Sequence, residues 1–496
     1  MNRLADVACP KARACGRLRR MDHMIDETFA ALRREDEPEL ALAREVAALV
    51  RSLGGRAWLV GGCVRDALLG RPCHDFDLEV YGVPADRLEA ALAARWPLDK
   101  VGASFGVVKL RHHDIDIALP RRENRLGAGH RDFAIAADPD LPPAEAAARR
   151  DFTVNAILYD PLACEPLDPW GGVADLRAGV LRHVSPHFAE DPLRVLRGMQ
   201  FLARLPFLSP APETVALCAT MTQDSLARER LAGEWEKLLL QGVAPSRGLK
   251  FLRACGWLRF YPELDALRGV PQDPVFHPEG DVWTHTMLAL DAAAAIRGNR
   301  PREDALALGA AALCHDLGKP AATARGAEDG RWHAYDHENL GVPLARGFCL
   351  RLWNQPKFAD LVARLVALHM RPLPLVFEGA GDRAYRRLAV KAGRLDLLAD
   401  LVECDVRATT APGRDPAAHG SLRLVRTFRE RCAALAIERE PPRPIVQGRD
   451  LVARKMKPGP AFGPILEACY EAQLAGEIKD PATGAAFLDA LLAARR

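Results

Sequence analysis

The sequence predicts an α+β protein: a small mixed-sheet head, then an α-helical neck, an all-α domain and a helical tail. Three observations carry that prediction. Short apolar runs bounded by glycine alternate with helical spacing up to about residue 165. From Glu190 onwards the apolar spacing is helical almost throughout. Two Pro- and Gly-rich joins interrupt that helical run, YPELDALRGVPQDPVFHPEGD from Tyr261 and TTAPGRDPAAHGS over 409–421. Strands mixed with helices, then helices alone, indicate separate layers with separate cores. A chain of 496 residues exceeds one core, so roughly three or four domains are expected. The expected segments are an N-terminal extension 1–38, a head 39–165, a neck 166–262, an all-α domain 275–410 and a tail 421–496.

In chain order, ELALAREVAALVRSL (39–53) has helical apolar spacing. Trp58-Leu59-Val60 is a strand that ends at Gly61-Gly62, and Val64–Leu69 is a helix. After a turn at Gly70–Pro72, Asp75-Phe76-Asp77 leads into a second strand through Val80. A helix over 85–94 follows, then strands at Val107–Leu110 and Ile115–Leu119. The polar segment 121–143 reads as a mobile loop. DPWGGVADLRAGVLRHV reads as a hairpin, 283–410 as wholly helical, and the end of the chain as helical with a turn at KPGPAFG.

Composition narrows the function classes. Charged residues are 27%, hydrophobic ones 49%, and the formal net charge is +3. That is ordinary for a soluble globular protein and does not by itself mark a nucleic-acid binder, though local basic patches fit inside so small a total. The longest apolar runs fall far below a membrane span, so no membrane partner is expected. The Arg-rich start, MNRLADVACPKARACGRLRR, lacks the continuous apolar core of a signal peptide. Twelve cysteines are scattered singly without a C-x-x-C, which argues against a zinc ribbon and a disulfide framework. The expected compartment is a reducing cytoplasm. Cys63 and Cys73 read as small hydrophobes in a packed site.

The first chemical constellation is Gly61-Gly62 with Asp75, Asp77 and Asp116. Glycines between strand and helix let backbone N–H groups approach a phosphate at a helix N-terminus. Asp75 and Asp77 alternate onto one strand face, where they repel unless a cation intervenes. Asp116 would be a third carboxylate on a neighbouring strand, with Asp114 competing for that place. Nucleotidyl transfer uses two divalent cations about 3.5–4 Å apart, and hard cations prefer oxygen ligands.

GGCVRDALLG, HDFDLEV, RRDFTVNAILYD and EDPLRVLRGMQFLARL resemble, in order, the bacterial tRNA nucleotidyltransferase and poly(A) polymerase family, whose head is polymerase-β-like. The resemblance covers roughly residues 40 to 265. It implies that Gly61 and Gly62 contact an incoming triphosphate, with Arg65 and Asp66 bracing the turn. It implies that Asp75 and Asp77 hold two ions, Mg2+, with Asp116 as the third acidic position. Arg150, Asp151 and Asn155 fall in the motif tied to ribose and phosphate. Arg121 and Glu123 would frame a mobile loop.

Asp191 and Arg194 lie three apart at the start of the helix expected from Glu190. A carboxylate beside a guanidinium mimics a Watson–Crick edge that suits cytosine and adenine, and the resemblance gives this pair the choice of CTP and ATP. The bland alternative is that Asp191 is an N-cap ahead of Pro192, with Glu190 and Arg194 a plain i,i+4 pair. The partner implied is the tRNA acceptor arm. The products in view are CCA ends, with poly(A), A-only or CC-only addition as rivals.

A second constellation is His285, His315-Asp316, His337, His369 and Asp405, all in or beside helical stretches. Histidine with carboxylate suits Zn, Mn, Ni, Co or Mg, so the identity of this divalent metal stays open. The order resembles the HD phosphohydrolase superfamily. It implies His285, His315, Asp316 and Asp405 as core ligands, with His337 and His369 extending the site to a second metal. HPEGDVWTHTMLALD and ALCHDLGK look like the HD domain of certain bacterial CCA-adding enzymes, similar to phosphatases acting on phosphate monoesters and 2′,3′-cyclic phosphates. A chain that is chiefly an HD phosphohydrolase is therefore the rival from another enzyme class. His112, His113, His130, His183 and His277 read as surface or local hydrogen-bonding residues. The tail, VQGRDLVARKMKPGPAFGPIL, resembles a module of the same family. Its Gly-Pro turn with Arg449, Arg454, Lys455 and Lys457 suits an RNA phosphate contact.

Overall fold

The computed structural model describes residues 28–34, 36–73, 75–99, 107–125, 133–410 and 419–494. The chain divides into two compact units. One comprises residues up to Gly198 with Leu205–Leu226, the other Met199–Arg204 with Ala227–Arg496.

In the first unit, helix α1 (Pro38–Ser52) buries Leu40, Ala43, Val46, Ala47 and Val50 and packs on strand β1 (Arg56–Val60). Gly61 follows with φ 78° and ψ −130°, a backbone conformation that L side chains rarely adopt, and helix α2 (Gly62–Leu68) begins. Strand β2 (Phe76–Tyr81) alternates: Phe76, Leu78 and Val80 are buried, Asp77 is exposed and Glu79 half-buried. Strands β3 (Leu98–Asp99), β4 (Val107–Leu110) and β5 (Ile115–Ala118) follow. Residues Arg121–Arg125 (β6) and Phe133–Ala137 (β7) pair as an antiparallel hairpin, so the segment expected to be a loop is partly ordered by backbone pairing; 126–132 lies outside the described residues. Strands β8 (Leu158–Asp160) and β9 (Glu165–Leu167) complete a seven-stranded sheet in the order β3-β4-β5-β2-β1-β8-β9. Its pairings are antiparallel except β2 with β5.

Three expectations need correction. The hairpin lies at 158–167 rather than in the stretch after it, where Gly172–Ala178 is a helix bounded by Gly171 and Gly179 at positive φ. The helix expected from Glu190 begins at Leu193: Pro192 biases the residue before it towards extended backbone, and Asp191 has φ −123° and ψ 102°. Residues 28–33 of the expected frayed extension form a 3-10 turn that buries Leu32 and stacks Phe29 on Tyr159 at 4.9 Å. Residues 1–27 lie outside the described residues. Helix α3 (Leu193–Arg204) carries the chain into the second unit.

The second unit is helical. Its main helices are α4 (Arg228–Gln241), α5 (Val282–Ile296), α6 (Arg302–Cys314), α7 (His337–Trp353), α8 (Pro356–Leu368) and α9 (Leu395–Ala408). Every residue of α6 from Ala305 to Cys314 is buried. A helix apolar all round belongs in a core, and the small side chains of ALALGAAALC let neighbours close on it. The run expected to be wholly helical is broken by a hairpin, β10 (Thr323–Arg325) with β11 (Trp332–Ala334). The tail has its own core of Val446, Leu451, Ile465, Cys469, Ala472, Ile478 and Leu488. No described helix is long and apolar enough to cross a membrane.

Trp235 on α4 is fully buried, donates from Nε1 to the Tyr261 hydroxyl at 3.0 Å and meets the Tyr261 and Phe348 rings edge-on at 4.9 and 5.4 Å. Trp235→Ala removes this anchor and leaves a cavity, so it is expected to destabilise the second unit by about 3–5 kcal/mol, measured by denaturant unfolding.

Candidate active sites

The first site grows from the β1–α2 turn. A Cβ built on Gly61 would lie 3.5 Å from both Arg150 Nη1 and Asp77 Oδ2, so the turn runs between a guanidinium and a carboxylate. Asp75 stands exposed just before β2. Asp77 pairs in register with Asp116 on β5, which sets these two side chains next to each other on one face. Asp114 lies one step outside that pairing, where its carbonyl accepts from Phe76 N at 2.9 Å. Lys109, the β4 partner of Asp116, reaches Asp116 Oδ1 at 3.5 Å and Asp114 Oδ1 at 3.9 Å. The protein around Asp77 partly desolvates it and raises its carboxyl; Arg150 lowers it, and Asp116 and Asp75 raise it further. Carboxylates gathered on one strand face are of the charge and ligand type that a hard cation takes.

Behind the turn runs a chain of hydrogen bonds. Arg65 is buried. It donates to Asp66 through Nε and Nη2 at 2.9 and 2.8 Å, and through Nη1 to Asn155 Oδ1 at 2.7 Å. Asn155 Nδ2 donates to Asp151 Oδ1 at 2.9 Å, and Arg197 Nε to Asp151 Oδ2 at 2.7 Å. Burial works to raise the Asp151 carboxyl, but Arg197 and Asn155 outweigh it and hold it low. Arg65, Asn155 and Asp151 therefore link the turn to helix α3 through protein contacts. Arg150 lies by the carboxylates and reaches Glu79 Oε2 at 3.4 Å, where Tyr81 OH also donates at 2.9 Å.

Asp191 precedes α3, and its Oδ1 accepts from Leu193 N at 3.1 Å. It does not share a helical face with Arg194, because the helix starts after it. Arg194 donates to the carbonyls of His187 at 2.6 Å and Arg149 at 2.5 Å. Those bonds aim the guanidinium, and a group with five N–H donors retains capacity for a base edge. Glu190 accepts from Arg149 at 3.3 Å and from His187 Nδ1 at 2.7 Å.

The second site is more tightly built. His315 and Asp316 follow the end of α6, His285 lies on α5, His337 opens α7, His369 follows α8 and Asp405 is on α9. All four histidines and Asp316 are buried. The Nδ1 atoms of His315, His337 and His369 meet the carbonyls of Ala312, Ala334 and Val366 at 2.8, 2.7 and 2.7 Å. His285 Nδ1 meets Glu279 Oε1 at 2.8 Å. Every Nε2 is thereby turned inward, with His285 to His315 at 3.1 Å and His337 to His369 at 3.4 Å. Orienting one ring nitrogen so that the other can bind is how metal-ligating histidines are held. Asp316 lies between the pairs: Oδ2 is 3.3 Å from His315 and 3.6 Å from His285, and Oδ1 is 3.4 Å from His337. Oδ2 also meets Lys319 Nζ at 2.8 Å, while Oδ1 has no hydrogen-bond donor among the described residues, an arrangement a cation would satisfy.

Three groups that could hold a metal ion result among the described residues, His285–His315–Asp405, Asp316–His337–His369 and His277–Glu279–His285, each with its donor atoms within 4.8 Å of one another. Burial lowers the affinity of His285 for a proton, yet the hydrogen bonds it donates to Asp405 and Glu279 outweigh it and push the imidazole up to about 9. Burial and the neighbouring His315 push His369 down to about 4. Asp316 is held well below the usual carboxylate range by His315 and Lys319, against its burial.

Sequence reasoning missed several supporting residues. Glu279 accepts from His277 and His285 at 2.8 Å each, and Lys319 Nζ reaches Asp316 Oδ2 and Gln272 Oε1 at 2.8 and 2.7 Å. Both sit in stretches already singled out, HPEGD and HDLGK, so polar character beside a ligand was the available signal. His277 is hydrogen-bonded locally as expected, but its ring also packs against His285 at 5.0 Å. His113 meets Glu39 at 3.2 Å and His183 meets Thr214 at 2.9 Å; His130 lies outside the described residues. In the tail, Arg454 is engaged by Asp489 and the Asp450 carbonyl, so it braces its own subdomain.

The family model for the poly A polymerase head domain matches residues 57–182, and that for the HD domain matches residues 282–400. A multifunctional CCA protein of Xanthomonas campestris pv. campestris (strain B100) is 38% identical over 436 residues, covering 85% of this chain and 98% of its own. One from Nitrosospira multiformis is 39% identical over 347 residues, covering 67% and 79%. Among solved structures, the Bacillus stearothermophilus CCA-adding enzyme in complex with CTP aligns with TM-score 0.61 at 24% identity, over 92% of this chain and 99% of that one. The Thermotoga maritima CCA-adding enzyme complexed with tRNA aligns with TM-score 0.55 at 18% identity, over 94% and 98%. At these identities the structures speak to shared fold.

Two outcomes are expected at the histidine site. With its imidazole pushed up to about 9, His285 carries a proton at neutral pH that a cation must displace. Binding of Mn2+ or Ni2+ is expected to release protons and to weaken by up to about tenfold per pH unit as pH falls below 9, read by calorimetry in buffers of different ionisation enthalpy. A Cβ on Gly318 would lie 2.0 Å from the His337 carbonyl oxygen. Gly318→Ala is expected to displace His337 and lower metal stoichiometry, measured by elemental analysis of folded protein.

Proposed function

The chain belongs to the multifunctional CCA protein family, and from that premise we propose how its two sites divide the chemistry. The protein is a CCA-adding tRNA nucleotidyltransferase that carries an HD domain. It extends the 3′ end of tRNA with CTP and ATP, and no nucleic-acid template chooses the base. The observation that carries the transferase assignment is the register pair Asp77–Asp116 beside the Gly61-Gly62 turn.

Divalent cations at Asp75, Asp77 and Asp116, proposed as Mg2+, would supply charge neutralisation for the triphosphate and acidify the tRNA 3′-hydroxyl. The chain's own groups do the rest. Gly61 and Gly62 bring backbone N–H groups to the phosphates. Arg150 adds positive charge on the same side, and Arg65, Asn155 and Asp151 hold the turn. The 3′-oxygen attacks the α-phosphorus and pyrophosphate leaves. Asp191 and Arg194 present an acceptor and a donor to the base; the two carbonyls that hold Arg194 support a fixed edge that cytosine and adenine match. The tRNA acceptor arm would be recognised by A-form shape and backbone, with Arg449, Lys455 and Lys457 of the tail as candidate phosphate contacts. Such a substrate, with cysteines kept as free thiols, supports a cytoplasmic setting.

The HD site favours a second activity. A divalent cation held by His285, His315, Asp316 and Asp405, with a second at His337 and His369, would supply Lewis acidity for hydrolysis of a phosphoester. Water adds to phosphorus, the ester P–O bond breaks, and the leaving oxygen takes a proton. Monoesters and 2′,3′-cyclic phosphates are the proposed substrates, cleared to leave a hydroxyl at the RNA end.

The test is addition to tRNA lacking CCA with CTP alone, ATP alone and both. Full CCA is expected only with both, and long A tails on unrelated RNA would overturn the assignment. Asp75→Ala with Asp77→Ala is expected to cut addition by more than ~100-fold, beyond the usual effect of an outer-shell change, while phosphoester hydrolysis persists. His315→Ala with Asp316→Ala should do the reverse.

A further inference from the structure

The HD site opens into a cavity of about 930 Å³. That is the size of an organic ligand site and far more than a phosphate group needs. Asp316, His337, His369 and Lys319 line it together with Phe276, Trp332 and His333. Phe276 is 65% exposed and Tyr335 77% exposed. Tyr335 stacks flat on His333, with ring centroids 5.1 Å apart and planes at 9°. The Arg331 guanidinium lies 5.0 Å from the centre of the Phe276 ring and is itself fixed by Asp273, Nε to Oδ2 at 2.6 Å. Single exposed apolar side chains need no explanation. Two rings of the cavity lining, Phe276 with the Arg331 guanidinium beside it and His333 with Tyr335 stacked on it, are a different case.

We propose that Phe276 and His333, the latter braced by Tyr335 stacked on it, form a platform on which a nucleobase stacks while its own nucleotide's phosphate lies over the histidine–aspartate cluster. Stacking is tolerant of base identity because every base has a π-face, and the flanking arginine adds attraction to it. The platform would make the HD site selective for ribonucleotide ends over phosphoesters without a base. This rests on the phosphohydrolase reading of the site and assigns its specificity to residues outside that reading's ligand set.

The test uses the full-length protein with two substitutions on exposed rings, Phe276→Ala and Tyr335→Ala, and the conservative Phe276→Tyr. With Mn2+ or Ni2+ present, KM for adenosine 2′,3′-cyclic phosphate is expected to rise about tenfold or more in the alanine variants. The kcat should hold, glycerol 2-phosphate hydrolysis should not change, and Phe276→Tyr should stay near wild type. A second readout needs no turnover: with metal chelated, 2-aminopurine riboside 3′-phosphate should be quenched on binding, and the alanine variants should lose that quenching. An equal change for both esters, or unchanged KM and quenching in both alanine variants, would overturn the platform. Hydrolysis of neither ester by the wild type would remove the phosphohydrolase reading, and the quenching measurement would then decide the platform alone.

Discussion

Asp316 is a carboxylate almost wholly out of water, with one oxygen towards His285 and His315 and the other towards His337. Of the two, Oδ1 has no hydrogen-bond donor among the described residues. Burying such a group without a counter-charge is costly, and the surrounding fold is arranged around that need. The small-residue helix α6 runs fully buried and delivers Asp316 to the core. Glycine at 318 lets the His337 backbone close in. Lys319 lies within 2.8 Å. Three backbone carbonyls and Glu279 turn four imidazoles towards one another. Opposite pKa displacements of His285 and His369 follow from the same crowding, one beside carboxylates and one beside imidazoles.

The first unit meets the same constraint in a more open form. Asp77 and Asp116 are neighbours by strand register, and Lys109 lies across from Asp116. There the supporting work is done by a buried polar chain rather than by histidines. Arg65, Asn155, Asp151 and Arg197 satisfy one another end to end. Fully satisfied buried networks are stiff, so the Gly61-Gly62 turn and the start of α3 are held in one frame. A catalytic site that must select a base gains from such stiffness, because a displaced donor no longer matches the base edge.

Much of this was readable from residue patterns. Alternation in FDLEV set Asp77 apart from its buried neighbours, and the strand-glycine-helix order located the turn. The order of histidines and aspartates named the second ligand set. What patterns did not carry was mostly partnership. Glu279 and Lys319 carried no signal of their own in the sequence; the fold sets them beside His285 and Asp316. The Asp191–Arg194 pair read as one helical face, but Pro192 delays the helix to Leu193, and a local turn hydrogen bond occupies one Asp191 oxygen. The hairpin at 323–334 was hidden inside a helical run, because three-residue strands are too short to show a period.

By itself the sequence determined the candidate residue types, their order and most of the elements that carry them, since each follows from local spacing and side-chain chemistry. Tertiary structure alone set Asp116 rather than Asp114 opposite Asp77, because that depends on the register of β2 against β5. It also decided that Asp316 lies between two histidine pairs, that Arg65 faces inward, and that open aromatic rings border the histidine cavity. The physical reason is the same in each case. Which groups share a buried site is set by how distant segments pack, and no single segment's periodicity contains that information.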